Sequence, residues 1–106
     1  MFGLKPRVAE ITAAELEHQL KQSGKDVYVL DVRTPPEFQQ GHIPGAKLMP
    51  LAELGRRLHE IPKEQTVVTV CHSGSRSRMA ASWLQKAGYE VKNLAGGMLR
   101  WHGPVR

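Results

Sequence analysis

A chain of 106 residues, 41% hydrophobic and with a mean hydropathy of −0.38, can close one core but has no apolar run long enough to span a membrane. The net charge of +5 is scattered, with no basic run longer than Arg56-Arg57, and aromatics reach only 6%, which argues against a nucleic-acid surface of basic stripes and stacking rings. The single cysteine, Cys71, excludes an internal disulfide and points to a reduced, cytoplasmic setting.

The stretch Met1-Phe2-Gly3-Leu4-Lys5-Pro6-Arg7 is too short and too broken to read as a signal peptide. Val8-Ala9-Glu10-Ile11 reads as a short first strand. Thr12-Ala13-Ala14-Glu15 matches a capping box, with Ile11 and Leu16 placed to staple the helix entry and Gly24 to end the helix. Val27-Tyr28-Val29-Leu30 is a second strand, closing at Asp31-Val32-Arg33. Thr34-Pro35-Pro36-Glu37 is a second capping box with proline at the first helical position, and Gly41 stops that short helix. A turn-rich connector, Gly41 to Ala46, leads to a short strand near Lys47-Leu48-Met49. Pro50 opens a further helix with Leu51, Leu54, Leu58 and Ile61 as its buried stripe, and Pro62 closes it.

Thr66-Val67-Val68-Thr69-Val70 are all β-branched and read as a strand buried on both faces. Met79, Ala80, Trp83, Leu84 and Ala87 then recur at helical spacing, with Gly88 as a stop. Tyr89 to Leu94 is the last strand, and Gly96-Gly97 start a short closing helix carrying Met98, Leu99 and Trp101. Five alternations of strand and helix predict one α/β domain over 1–106, with a parallel sheet covered by helices on both faces. Ligands of such sheets bind outside the carboxyl ends of the strands, so Asp31 and Cys71 should share one edge.

Cys71 therefore sits where a buried strand gives way to a helix, followed by the small loop His72-Ser73-Gly74-Ser75-Arg76-Ser77. A loop of small residues ahead of a helix can curl its N–H groups inward as an anion nest, with Gly74 free to take positive φ. The helix N-terminus and Arg76 add positive charge, so the thiol should ionise below its ordinary value. A lone cysteine is otherwise a small buried hydrophobe, and it is this context that gives Cys71 a chemical role. Asp31, Arg33 and Glu37 gather near the same edge, and an ion-pair network bracing the loop is the favoured reading. For His42 a structural hydrogen bond is favoured over general-base work.

Several stretches together resemble one family, the single-domain rhodaneses, which are sulfurtransferases. They are Leu30-Asp31-Val32-Arg33, Glu37-Phe38, Gly41-His42-Ile43-Pro44-Gly45-Ala46, Cys71 to Ser77, and Leu94-Ala95-Gly96-Gly97 with Trp101. Leu48 departs from the polar residue the family often carries there. The resemblance implies a rhodanese-like fold with a five-stranded parallel sheet. It also implies that Cys71 accepts a sulfane sulfur as a persulfide within a cradle formed by His72, Ser73, Gly74, Ser75, Arg76 and Ser77.

The expected reaction takes sulfur from thiosulfate, or from a persulfide donor such as a partner protein, and passes it to cyanide or a thiol. Arg76 is expected either to meet sulfonate oxygens or to brace the loop, and Arg76 and Arg78 to draw a dianion toward the site. No cofactor is required, and the five histidines show no metal-ligand spacing. Two alternatives share the site. One is a persulfide carrier. The other is a phosphatase or arsenate reductase, whose loop has five residues between Cys and Arg where this chain has four.

Overall fold

The computed structural model describes residues 7–106, so all but Arg7 of the stretch inspected for a leader lies outside the described residues. Five strands form one parallel sheet in the order β1-β5-β4-β2-β3. They are β1 (Ala9–Ile11), β2 (Val27–Asp31), β3 (Lys47–Leu48), β4 (Thr66–Val70) and β5 (Val91–Leu94). The most apolar strand, β4, lies in the centre, with Val67 and Val68 fully buried. Its register pairs Asp31 with Val70, so β2 and β4 end side by side and present Asp31 and Cys71 on one edge.

Four helices flank the sheet: α1 (Ala13–Gln22), α2 (Pro35–Gln39), α3 (Leu54–Arg57) and α4 (Ser75–Lys86). On one face Leu30, Val67 and Val91 pack with Leu54 of α3 and with Ala80, Ala81 and Leu84 of α4. On the other, Val29, Val68, Val70 and Leu94 pack with Leu16 of α1, Ile43 and Trp101. Both capping boxes form: the Thr12 and Thr34 side chains accept from the backbone N–H of Glu15 and Glu37, whose carboxylates return the bond to the cap N–H. Ile11 and Leu16 share one core cluster, as the staple requires.

Two expectations are corrected. The segment from Pro50 to Ile61 is not one helix. It is the short α3 between two 3₁₀ turns, Leu51–Glu53 and Leu58–Glu60. Gly55 weakens helix propagation, and Arg57 leaves helical geometry at φ −117°, ψ 13°. The stripe still faces inward, with Leu54 and Ile61 buried and Leu51 and Leu58 half-buried.

The buried face of α4 also differs. The helix starts at Ser75, so Ser75, Arg76 and Ser77 form its first turn, and its inward residues are Ser77, Ala80, Ala81 and Leu84. Met79 and Trp83 are 50% and 45% exposed. Small residues at 77, 80 and 81 let the helix lie close to the sheet, and bulkier Met79 and Trp83 are turned out.

β2 is locked at its end by a buried ion pair. Asp31 Oδ1 accepts from the Arg33 N–H and Nε, and Asp31 Oδ2 accepts from the Arg33 guanidinium at 2.8 Å. Arg33 also donates to the Gly41 carbonyl at 2.8 Å, tying the connector to the strand. Asp31→Ala leaves a buried guanidinium without its counter-ion, which typically costs about 3–5 kcal/mol. Urea unfolding of this variant should show a lowered midpoint with an unchanged m-value.

Candidate active site

The Cys71 side chain follows β4 directly and is fully buried. The chain then turns through His72, Ser73 and Gly74, and Gly74 takes φ +112°, a region that L side chains rarely adopt. That turn aims the Gly74 N–H at Cys71 Sγ, 3.1 Å away. The start of α4 supplies a second donor, the Ser77 N–H, 3.3 Å from the same sulfur. The first-turn N–H groups of a helix have no partner inside the helix, and one of them is directed at the thiol.

The outside of the loop is also held. The Cys71 and His72 carbonyls accept from the Met98 and Leu99 N–H groups at 2.9 and 3.0 Å, within the 3₁₀ turn Gly97–Arg100. Gly97 makes this docking possible. It takes φ +58°, and a Cβ there would lie 2.6 Å from the His72 carbonyl oxygen and collide with that of Cys71.

Two opposed effects act on the thiol. Burial pushes its pKa up, while the Ser77 side chain and the N–H groups of Ser77, Gly74 and Ser73 favour the thiolate; the net shift is downward. The Ser77 hydroxyl has one proton, which it donates to the Gly74 carbonyl at 3.2 Å. Turning that proton to the ionised sulfur is its contribution to the thiolate.

Three arginines around the loop are each bonded to a carboxylate. Arg76 donates both terminal nitrogens to Glu37, at 2.8 and 2.9 Å. Arg78 is paired with Glu10 at 3.1 Å, and Arg33 with Asp31. Arg76 and Arg78, expected to draw a dianion toward the site, thus each carry a carboxylate partner.

The sequence profile of the rhodanese-like domain matches residues 12–104. A sulfurtransferase of Allochromatium vinosum is 42% identical over 99 residues, covering 91% of this chain and 92% of its own length. The chain belongs to the rhodanese-like sulfurtransferase family. A thiosulfate sulfurtransferase of Pseudoalteromonas translucida, GlpE, is 36% identical over 73% of this chain and 74% of its own length. The crystal structure of a rhodanese-like domain protein from Staphylococcus aureus superposes with a TM-score of 0.87 at 34% identity, covering 93% of this chain and 97% of that one.

Within this rhodanese-like architecture the residues singled out from sequence divide into two groups. Cys71, Gly74 and Ser77 meet at the sulfur. Asp31, Arg33, Glu37 and Arg76 form the two ion pairs that brace the edge. His72, Ser73 and Ser75 line the exposed side of the loop. His42 is structural: it stacks on Phe38 at 3.6 Å between ring centroids, and its Nδ1 lies 2.9 Å from the Phe38 carbonyl.

Sequence reasoning missed Asn93. This fully buried residue on β5 bonds Thr69 through its Oδ1, and its Nδ2 donates to Glu10 at 3.1 Å and to the Gly74 carbonyl at 3.4 Å. The available signal was a pair of polar residues, Thr69 and Asn93, each one position before the apolar end of its strand; the register sets them side by side.

Ser77→Ala removes one stabiliser of the thiolate. The midpoint of thiolate formation, followed by ultraviolet absorbance, should move up toward that of an ordinary thiol. Gly97→Ala forces the 3₁₀ turn off the loop carbonyls. Alkylation of Cys71 by iodoacetamide should then accelerate in the native protein, because the buried sulfur becomes accessible.

Proposed function

We propose that this protein is a sulfurtransferase that carries a sulfane sulfur as a persulfide on Cys71. The observation that supports this most directly is the convergence of the Gly74 and Ser77 N–H groups on Cys71 Sγ. Those donors favour a thiolate, the form that attacks sulfur. With thiosulfate, the thiolate attacks the outer sulfur. A new S–S bond forms on Cys71, the S–S bond of thiosulfate breaks, and sulfite leaves with its electron pair. With a persulfide donor the same attack releases a thiolate.

The terminal sulfur on Cys71 stays anionic and lies within the N–H fan. In the second step cyanide or an acceptor thiolate takes that sulfur, giving thiocyanate or a new persulfide, and Cys71 returns to its thiolate. Splitting one transfer into two displacements is the gain from covalent catalysis. The fan stabilises the anionic sulfur as an oxyanion hole stabilises oxygen, and one such donor is typically worth ~2.7–4 kcal/mol. The chemistry uses only the side chain of Cys71 and the loop backbone, without a cofactor. A lone reactive thiol suits a reducing compartment such as the cytoplasm.

The phosphatase alternative is not favoured. Its chemistry needs an arginine that grips phosphate oxygens, and Arg76 is engaged with Glu37.

Incubation with thiosulfate or with glutathione persulfide should add the mass of one sulfur atom to the protein, and cyanide should remove it as thiocyanate. Cys71→Ser should abolish both. A sulfur adduct that survives in Cys71→Ser, or hydrolysis of an aryl phosphate faster than sulfur transfer, would overturn the assignment.

A further inference from the structure

The pairing of Arg76 bears on which donor the site takes. Arg76 lies in the first turn of α4, one residue before the Ser77 N–H that faces the sulfur, and its charge is felt by the Cys71 thiolate. Left alone it would be the natural anchor for sulfonate oxygens, since a guanidinium meets such groups through two parallel bonds. Glu37 already occupies that fork.

Glu37 is held independently of Arg76. Its Oε1 also accepts from the Thr34 N–H at 3.0 Å and the Thr34 hydroxyl at 3.1 Å, inside the capping box that starts α2. The carboxylate is thus delivered to Arg76 by the local structure of a different helix. The bond from Arg76, followed by those from Thr34, holds the Glu37 carboxyl down at about 2, so the pair is ionised on both sides through the neutral range.

Charge then separates the two donor classes. Attack of a thiolate on thiosulfate assembles three negative charges around one cysteine, and attack on a persulfide assembles two. Dipoles of neutral N–H groups serve the single charge on the transferred sulfur in both cases. The remaining charge of thiosulfate sits on its sulfonate, where a cation is needed.

We propose that Glu37 is a positioning residue that sets donor preference: by holding the Arg76 guanidinium it withdraws that charge from the sulfur cradle and biases the protein toward a monoanionic, thiol-borne persulfide over thiosulfate. This rests on the persulfide reading of Cys71. A protein or small-molecule thiol carrying a persulfide is the donor class that fits, and thiosulfate is the poorer substrate. The transfer is balanced: the donor S–S bond breaks, the Cys71 S–S bond forms, and the donor departs as its thiolate.

The test compares kcat/KM for thiosulfate with kcat/KM for glutathione persulfide, using cyanide as acceptor, in the wild type, Glu37→Gln, Arg76→Ala and the double variant. Glutamine also serves in the third position of a capping box, so Glu37→Gln keeps the start of α2 while leaving the Arg76 charge uncompensated. The ratio of thiosulfate to persulfide kcat/KM should rise at least about tenfold in Glu37→Gln, the scale of one charge-assisted contact. Adding Arg76→Ala should remove the rise, which assigns it to that guanidinium. Arg76→Ala alone should change both rates by a common factor, leaving the ratio within about twofold of the wild type.

A selective loss of thiosulfate turnover in Arg76→Ala would overturn the proposal, because Arg76 would then already be serving the sulfonate. So would a Glu37→Gln ratio equal to that of the wild type. If thermal unfolding shows that Glu37→Gln has not folded, the Arg76→Ala ratio decides alone. The mass of the Cys71 adduct is read in parallel. An absent adduct from both donors defeats the sulfurtransferase reading itself, and an adduct with the wrong ratios defeats only the role of Glu37.

Discussion

The site depends on two N–H groups meeting one sulfur. Neither donor would be there without Gly74, whose φ of +112° reverses the chain within three residues of Cys71. The reversal turns the Gly74 N–H inward and starts α4 early enough for the Ser77 N–H to reach the sulfur. β4, buried on both faces, delivers Cys71 to the sheet edge at a fixed height. The turn at Gly97 holds the Cys71 and His72 carbonyls from outside, so the loop is clamped between sheet, helix and turn. The cradle is therefore preorganised before any sulfur arrives, and that preorganisation is what makes neutral dipoles effective in a buried site.

A second constraint is the distribution of full charge. The protein carries +5 overall, yet Arg33, Arg76 and Arg78, which surround the site, each meet a carboxylate. The buried Asp31–Arg33 pair joins β2 to the connector at Gly41. The Glu37–Arg76 pair joins α2 to α4 across the loop, and Glu10–Arg78 joins β1 to the outer side of α4. These charges hold the edge together, and the backbone N–H groups face the thiol. Structure and chemistry are thus divided between ion pairs and dipoles.

Much of the fold was legible because it is written in local chemistry. The two capping boxes need only residues three apart, and both form between Thr and Glu. The β-branched run 66–70 can pack well only as a buried strand, and it became the central one. The segment 50–61 misleads because its apolar spacing is helical while Gly55 and the geometry at Arg57 interrupt the helix; periodicity reports which side faces the core, and that side does face it. The rotation of α4 was not legible because Met79 and Trp83 are apolar, and apolar residues are not obliged to be inside.

By itself the sequence determined the order of strands and helices, the glycine that lets the loop turn, and the cysteine placed at that turn. These are short-range matters of φ, hydrogen-bond donors and side-chain shape. Only the tertiary structure decided where charge goes. Glu37 and Arg76 are 39 residues apart, Glu10 and Arg78 are 68 apart, and Asn93 reaches Gly74 across 19 residues. No local pattern pairs such residues. The parallel register of β2, β4 and β5, fixed by burial of their apolar faces, brings their carboxyl ends to one edge, and the pairs form because the sheet has already placed them within reach.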